Sequence, residues 1–283
     1  MYDHHLKAGN QGDVVKHPAL IAAVDTILQG GQDRVFRLFD TFAGYAHNPI
    51  VKGNEWQNGI GHILRVGRSS DNPHVKAWMA LWRVGAELLG SVYPGSSLFV
   101  LKSCQSRGIQ LKASLWDTSP TVVAQLMTVY RGLDVHIYGR PAIPSDLKDT
   151  PFDFLFIDPP GLQSTKNQDY PALEDLTPFV AGRHHTLLWL PMVADLARRP
   201  PPESENSIAW RMALLQQGLS ATTVRWLPGG PTCGCQLFYR LPPNAEIAVR
   251  EAIVATLELT EWNMKEVQHF DRPIPASWGT GRC

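Results

Sequence analysis

A chain of 283 residues with 44% hydrophobic and 18% charged residues is long enough for a substantial core and has a globular composition. It contains no run of roughly 18 apolar residues, and Met1 to His5 lack the apolar segment of a signal peptide, so we expect a cytoplasmic protein without membrane contact. The formal net charge of +0 argues against non-specific coating of nucleic acid but allows a polarised basic face.

The cysteines and histidines do not form a metal-binding pattern. Four cysteines are too few and too unevenly placed for a disulfide framework, and Cys233-Gly234-Cys235 lacks the second ligand pair of a zinc site. The adjacent pairs His4-His5 and His184-His185 cannot each face one site, because neighbouring side chains on a helix or strand diverge. We therefore expect no metal.

Apolar runs that alternate with helical patterns predict an α/β fold with a parallel or mixed sheet and helices on both faces. The predicted strands cover residues 35–39, 110–116, 135–138, 154–157, 186–190, 224–227 and 236–240. The predicted helices cover residues 13–28 (capped by Asp13), 98–103, 121–131, 192–199 and 245–259. No clear linker divides the sequence, which predicts a single domain over residues 1–283.

Residues 45–92 interrupt this alternation after the first strand and predict a small helical insertion. Apolar residues recur at helical spacing around Trp56 and again from Val75 to Leu89. Trp78 and Trp82 belong to the second face. Aromatic residues at this spacing usually pack in a core, and stacking on nucleobases is the alternative.

Acidic residues end three of the predicted strands, at Asp40, Asp117 and Asp158, and Gly139 ends another. The carboxyl ends of parallel strands form the ligand-binding edge of such a sheet. The loop after Asp40 is not G-x-G-x-x-G, and the chain has neither a Walker A motif nor a G-x-S-x-G nucleophile elbow. The layout favours a nucleotide-like cofactor and fits methyl transfer from S-adenosylmethionine to an amine, which depends chiefly on alignment.

The segment from Phe154 to Gly161 is the strongest candidate for the reacting site. Its four apolar residues predict a strand buried on both faces, and Asp158 follows at once. Pro159 and Pro160 cannot continue the strand and hold their carbonyl groups rigidly as acceptors. A carboxylate beside a fixed carbonyl suits a donor with two hydrogens, such as a nucleobase amine. An ordinary turn, for which Asp-Pro is common, is the alternative.

Four segments together resemble one known family in order and spacing. They are KAGNQGDVVKH at residues 7–17, DTFAG at 40–44, YPGS at 93–96 and IDPP at 157–160. The family is the large-subunit 23S rRNA adenine-N6 methyltransferase J family, formerly described as a family for catabolism of external DNA. The match covers most of the chain, including the helical insertion after the first strand.

The resemblance implies a Rossmann-like, S-adenosylmethionine-dependent methyltransferase acting on 23S rRNA, and we expect a monomer. By position, Lys16 and His17 would lie at the methionine end of the cofactor and Ser96 would contact it. Asp117, where the family has glutamate, would hold the ribose, and Gly139 would adjoin the adenine. These assignments follow from the resemblance alone.

The resemblance also implies roles in methyl transfer. Asp158, next to the cofactor, and the Pro159 carbonyl would accept hydrogen bonds from the N6 amine of the target adenine and orient its lone pair. Tyr2 and His4 fall where the N-terminal segment of the family meets the substrate.

Three further positions depart from the family pattern. Gly161 stands where the family's Asp-Pro-Pro-Tyr motif has an aromatic ring that stacks on the flipped base, a contact worth roughly 1–3 kcal/mol. Phe42 replaces a histidine that contacts the cofactor, and Tyr138 replaces an aspartate at the adenine. Candidates to replace the missing ring are Tyr2, Tyr170 and Trp189. Two alternatives stay open: a catalytically degenerate RNA-binding protein, and an adenine methyltransferase acting on DNA.

Overall fold

The computed structural model describes residues 7–31, 34–51, 53, 55–82, 91–162, 171–182, 184–198, 200–226, 231–260, 262 and 264–272. An eight-stranded mixed sheet with helices on both faces runs through them, and a two-stranded sheet lies beside it. This confirms the predicted Rossmann-like α/β fold. No helix in these residues is long and apolar enough to cross a membrane.

Five parallel strands form one half of the large sheet. They are β1 (Val35–Asp40), β4 (Gln110–Trp116), β5 (Val135–Tyr138), β6 (Phe154–Ile157) and β7 (His185–Val193). Their order in the sheet is β5-β4-β1-β6-β7. The chain first adds β4 and β5 on one side of β1 and then adds β6 and β7 on its other side, which reverses the direction of strand order. A crevice at the carboxyl ends is expected at this reversal.

The other half of the sheet is antiparallel. It consists of β9 (Thr232–Arg240), which pairs with β7, then β8 (Ser220–Trp226) and β10 (Met264–Phe270) at the edge. The last strand was not predicted, because its sequence MKEVQHF is mostly polar and charged. Such composition is typical of an exposed edge strand.

Helices cover both faces of the sheet. One face packs against α1 (Gln11–Gly30), α4 (Ser96–Ser106), α5 (Pro120–Val129) and α9 (Pro243–Leu257). The other packs against α7 (Leu173–Val180) and α8 (Glu205–Gln216), and α6 (Asp146–Asp149) is a single turn. Burial of Phe154–Ile157 between these two layers explains the uninterrupted apolar run of β6.

The first helix starts earlier than predicted. Its N-cap is Asn10 and not Asp13: the Asn10 side chain accepts the backbone N–H of Asp13 at 3.1 Å. The Asp13 carboxylate instead accepts the backbone N–H of Gly9 at 2.7 Å. Pro18 lies inside the helix, which continues to Gly30.

The insertion holds helices and a strand pair. Strand β2 (His47–Pro49) pairs with β3 (Val92–Pro94), and between them lie a 3-10 turn (Glu55–Asn58), α2 (Ile60–Val66) and α3 (Pro73–Trp82). Residues 83–90 lie outside the described residues. Trp78 and Trp82 are buried, which agrees with the core alternative for the tryptophan pattern.

The predicted helix over residues 192–199 is wrong. Strand β7 continues past Pro191 to Val193 and pairs with β9 throughout, and Ala194 forms a bridge with Glu203. Pairing between β6 and β7 extends only to Leu188, so Pro191 lies where the strand is locally an edge and a missing N–H is tolerated. The helices α7 and α8 were not predicted either; α8 buries only Ser207, Trp210 and Leu214 and has little apolar periodicity.

Candidate functional site

A cleft lies at the carboxyl ends of β1 and β6, beside Trp189 of β7. The loop after β1 is tied to both neighbouring strands, since Thr41 N–H donates to the Phe156 carbonyl at 3.2 Å and Ala43 N–H to the Trp116 carbonyl at 2.9 Å. Asp158 and Trp189 directly follow the paired residues Ile157 and Leu188 of β6 and β7. This edge is where open α/β sheets bind their ligands.

All four segments that carry the family resemblance contribute residues to this cleft. They come from 7–17, 42–44, 93–96 and 158–160, and Tyr45, Asn48 and Trp189 complete the lining. The empty space between the lining residues is about 610 Å³, and this figure includes the part of the cleft that is open to solvent. The structure thus brings Lys16, His17, Ser96, Asp158 and Pro159 together.

Lys16 lies between two carboxylates. Its ammonium is 2.5 Å from Asp158 Oδ2 and 2.8 Å from Asp13 Oδ1, and it lies 5.4 Å from the centre of the Trp189 ring. Burial alone would lower the pKa of Lys16, but Asp13 and Asp158 outweigh it and raise this pKa well above its ordinary value. Lys16 therefore carries a full positive charge beside the candidate reacting carboxylate.

Asp13 is a site residue that the sequence analysis used only as a cap. Burial alone would raise its pKa, but the charge of Lys16 and the hydrogen bonds from Lys16 and the Gly9 N–H outweigh this and hold the pKa below its ordinary value. The spacing from Asp13 to Lys16 places both on one helix face, and this spacing could have revealed the pair.

His17 is buried and neutral. Burial lowers the pKa of His17 to about 3, and the opposing attraction of Asp13 does not restore it. The imidazole contacts Tyr93 Oη at 2.7 Å through Nδ1 and Ser96 Oγ at 3.2 Å through Nε2. Ser96 begins α4, whose N-terminal end is electropositive and faces the cleft.

Asp40 ends β1 and is fully buried. One carboxylate oxygen accepts the N–H of Phe42 at 3.2 Å, and Oδ2 has no hydrogen-bond partner among the described residues. Burial raises the pKa of Asp40 to about 8, and the nearby negative charge of Asp158 adds to this effect. Asp40 therefore keeps its proton at neutral pH in the folded protein.

Asp117 and Gly139 lie at the ends of β4 and β5 but do not line the cleft. The Asp117 carboxylate accepts the N–H of Gly44 at 3.1 Å and of Ser119 at 2.8 Å, one on each oxygen. Each oxygen retains a second lone pair that a ribose hydroxyl can use. A Cβ built on Gly139 would meet only Val123, at 3.9 Å, so the space beside this glycine is open.

Two of the residues that differ from the pattern of the resembled family, Tyr138 and Gly161, change the local structure. Tyr138 stacks on Trp116, with ring centres 4.3 Å apart, so the position of the family's aspartate is part of an aromatic stack. Gly161 has a φ of 150°, a conformation that side-chain-bearing residues rarely adopt. The loop after Pro160 therefore follows a path that does not suit the family's tyrosine. Phe42 lines the cleft directly.

Some assigned residues cannot be placed. Tyr2 and His4, assigned to the substrate, and Tyr170, a candidate for the missing ring, lie outside the described residues. Trp189 lies in the cleft wall, with Lys16 near its ring. Within the described part of the chain, no group of three or more metal-ligating side chains exists.

No protein-family model and no curated protein matches the chain. Among solved structures, protein LPL1258 from Legionella pneumophila, described with the family name DUF519, is 17% identical with a TM-score of 0.67, over 93% of this chain and 97% of that one. At this identity the likeness establishes the fold alone.

Two other solved structures are more distant. The proposed methyltransferase yhhF from Escherichia coli is 14% identical over 79% of this chain and 86% of that one, with a TM-score of 0.32. A proposed class I S-adenosylmethionine-dependent methyltransferase from Listeria monocytogenes is 7% identical over 86% and 64%, with a TM-score of 0.41. These TM-scores are too low to carry an argument, so the function rests on the cleft.

Proposed function

We propose that this chain is an S-adenosylmethionine-dependent methyltransferase that modifies the N6 amine of an adenine in 23S rRNA, acting as a cytoplasmic monomer. The observation that carries the proposal is the position of Asp158-Pro159-Pro160 in a cleft at the carboxyl ends of parallel strands. Three other segments with the family's sequence line the same cleft.

The residues fit the chemistry of the cofactor. S-adenosylmethionine supplies an electrophilic methyl group and presents an ammonium, a carboxylate, a ribose diol and an adenine to the protein. Lys16 and Ser96 offer a cation and a hydroxyl to the carboxylate, and His17 supports Ser96. Asp117 and Gly139, outside the cleft lining at the neighbouring strand ends, would extend the site: Asp117 keeps lone pairs for the diol, and Gly139 leaves open space for the adenine.

Asp158 and Pro159 would act on the target amine. Lys16 holds Asp158 Oδ2, and a carboxylate has about four lone-pair sites, so it can accept an amine hydrogen in addition. The Pro159 carbonyl would accept the second hydrogen, which fixes the amine and directs its lone pair. Such alignment is the main requirement of a displacement reaction.

The target base would have to leave its helix to enter the cleft. Phe42, Pro160 and Trp189 give the cleft apolar walls against which a base can pack. These walls do not distinguish RNA from DNA, so the polymer is decided by competition between unmethylated 23S rRNA and DNA of matched sequence. Preferential labelling of DNA would replace the RNA substrate in this proposal.

The proposal is tested by transfer of a labelled methyl group to unmethylated 23S rRNA. We expect Asp158→Asn to lower the rate by about 100-fold or more, because it removes the charged acceptor at the amine. Asp149→Asn, an exposed acid in α6, is the matched control and should leave the rate unchanged. Labelling at the wild-type rate by Asp158→Ala would exclude the assigned mechanism.

A catalytically degenerate RNA-binding protein is the second candidate, and the conformation of Gly161 favours it. With φ at 150°, the loop does not present the ring that the family stacks on the base. Calorimetric titration with S-adenosylmethionine separates the two candidates. Binding at micromolar concentration or tighter supports the enzyme, and RNA binding without cofactor binding supports the degenerate protein.

A further inference from the structure

A line of four buried side chains connects the insertion to the cleft. Trp78 Nε1 on α3 donates to Tyr93 Oη at 3.1 Å, Tyr93 Oη contacts His17 Nδ1 at 2.7 Å, and His17 Nε2 contacts Ser96 Oγ at 3.2 Å. Trp78 and Tyr93 are fully buried, His17 is 3% exposed and Ser96 is 6% exposed. The ring of Phe99 packs 4.8 Å from the imidazole.

The direction of these hydrogen bonds is fixed at one end. An indole nitrogen only donates, so Tyr93 Oη accepts from Trp78. The single hydroxyl hydrogen of Tyr93 can then go to His17 Nδ1. If His17 donated from Nδ1 instead, this hydrogen would have no acceptor among the described residues, at a cost of about 1–3 kcal/mol.

The electrostatics at the other ring nitrogen agree with this direction. With Nδ1 as acceptor, the neutral imidazole carries its hydrogen on Nε2. Asp13 Oδ1 lies 3.9 Å from Nε2, and a carboxylate favours a hydrogen on the side that faces it. The Nε2 hydrogen is therefore donated to Ser96 Oγ.

We propose that Trp78 and Tyr93 are positioning residues that hold His17 in the Nε2–H tautomer and make the Ser96 hydroxyl a donor to an anionic ligand group in the cleft. Because Ser96 Oγ accepts from His17, its own hydrogen is directed to another acceptor. Ser96 also begins α4, whose N-terminal end favours negative charge. The acceptor would be the carboxylate of S-adenosylmethionine, and this part rests on the proposed function.

The tautomer is measured without any variant. In ¹⁵N-histidine-labelled wild-type protein, long-range ¹H–¹⁵N spectra distinguish a protonated ring nitrogen from an unprotonated one, and His17→Asn assigns the signals. We expect His17 as the Nε2–H tautomer, unchanged between about pH 5 and pH 8 because burial lowers its pKa to about 3. An Nδ1–H tautomer would overturn the proposal.

The action of Tyr93 through Ser96 is tested by a double-mutant cycle. We expect Tyr93→Phe and Ser96→Ala each to weaken S-adenosylmethionine binding by roughly 3- to 10-fold, which is the effect of one hydrogen bond. The double variant should bind no more weakly than Ser96→Ala alone, and Ser96→Thr should retain most of the affinity. If the affinity loss of the double variant equalled the product of the two single losses, Tyr93 and Ser96 would act independently, and the positioning role would be overturned.

A matched control and a second variant guard the result. Tyr239→Phe removes another buried tyrosine hydroxyl, on β9 in the antiparallel half of the sheet. This hydroxyl is hydrogen-bonded to Thr222 and Arg250, and its loss should leave the affinity for S-adenosylmethionine unchanged. Tyr93→Phe leaves His17 Nδ1 without its donor, so an Nδ1–H fraction should appear in the same spectra, and an unchanged tautomer in this variant would contradict the positioning role of Tyr93. Wild-type protein that does not bind S-adenosylmethionine would refute the proposed function. The His17 tautomer would still test whether Trp78 and Tyr93 position the imidazole.

Discussion

Two buried ion pairs lie on opposite faces of the sheet and differ in what surrounds them. Arg211 binds Glu203 through both terminal guanidinium nitrogens at 2.8–3.1 Å, Ser207 Oγ donates to Glu203, and Gln236 accepts from Arg211 and donates to Ser207. Lys16 instead binds Asp13 and Asp158 in a cleft.

The two ion pairs also differ in whether the polar atoms around them have hydrogen-bond partners. Near Lys16, Asp40 Oδ2 has no hydrogen-bond partner among the described residues. Every polar side chain in the Arg211 network has a partner within it. A pair enclosed by polar partners within the fold has a structural role, whereas a pair beside an open cleft can receive a ligand.

The largest expected effect is on the closed network. Glu203→Ala removes a buried carboxylate from the partly buried Arg211 and from Ser207, and it should destabilise the protein by about 3–5 kcal/mol. Urea denaturation measures the loss, and Glu205→Ala, an exposed acid at the start of α8, is the control. S-adenosylmethionine affinity of the folded variant should be unchanged. Weakened binding would show that this network also acts on the cleft.

The corresponding change in the cleft should cost less. Lys16→Met keeps an unbranched side chain but removes the ammonium, and we expect a loss of about 1–3 kcal/mol. The Asp13 and Asp158 side chains retain 15% and 17% exposure, so water can solvate them when the cation is absent. Methyl transfer should fall together with cofactor affinity. Denaturation that shows a loss equal to that of Glu203→Ala would remove the distinction between the two pairs.

The strand ends of the parallel half could be predicted from the sequence. The apolar run of β6 and the largely apolar β1 and β4 predicted strands, Asp40 ends β1, and Asp117 and Asp158 directly follow β4 and β6. The antiparallel half was predicted less well because β10 is polar and β7 continues past Pro191 only through its pairing with β9. Tertiary pairing decided these elements, and local sequence does not encode it.

The contacts of the site divide in the same way. The pair Asp13–Lys16 follows from helical spacing, but Lys16 and Asp158 are 142 residues apart and meet only in the fold. The connection from Trp78 through Tyr93 to His17 also joins three separate elements. The sequence supplied the residue types at the cleft, and the structure supplied which of them touch.

The smallest expected effect is the pH dependence of the stability that Asp40 contributes near the cleft. Asp40 has its pKa raised to about 8, from 3.8 in the unfolded chain, so between about pH 6 and pH 7 the folded state keeps a proton that the unfolded chain has lost. Stability from this group therefore falls as pH rises, by up to about 1.4 kcal/mol per pH unit. His17, with its lowered pKa, acts in the opposite direction, so the difference between wild type and Asp40→Asn is the informative quantity.

Urea denaturation at about pH 6 and about pH 7 measures the free energy of unfolding. We expect Asp40→Asn to remove the decrease in stability between these two pH values that Asp40 causes, whereas Asp149→Asn should keep the pH dependence of the wild type. Equal pH dependence in wild type and Asp40→Asn would mean that the Asp40 carboxylate is ionised and solvated in the folded protein. In that case its unpartnered oxygen would be exposed to water from the cleft, and the contrast with the closed Arg211 network would rest on Lys16 alone.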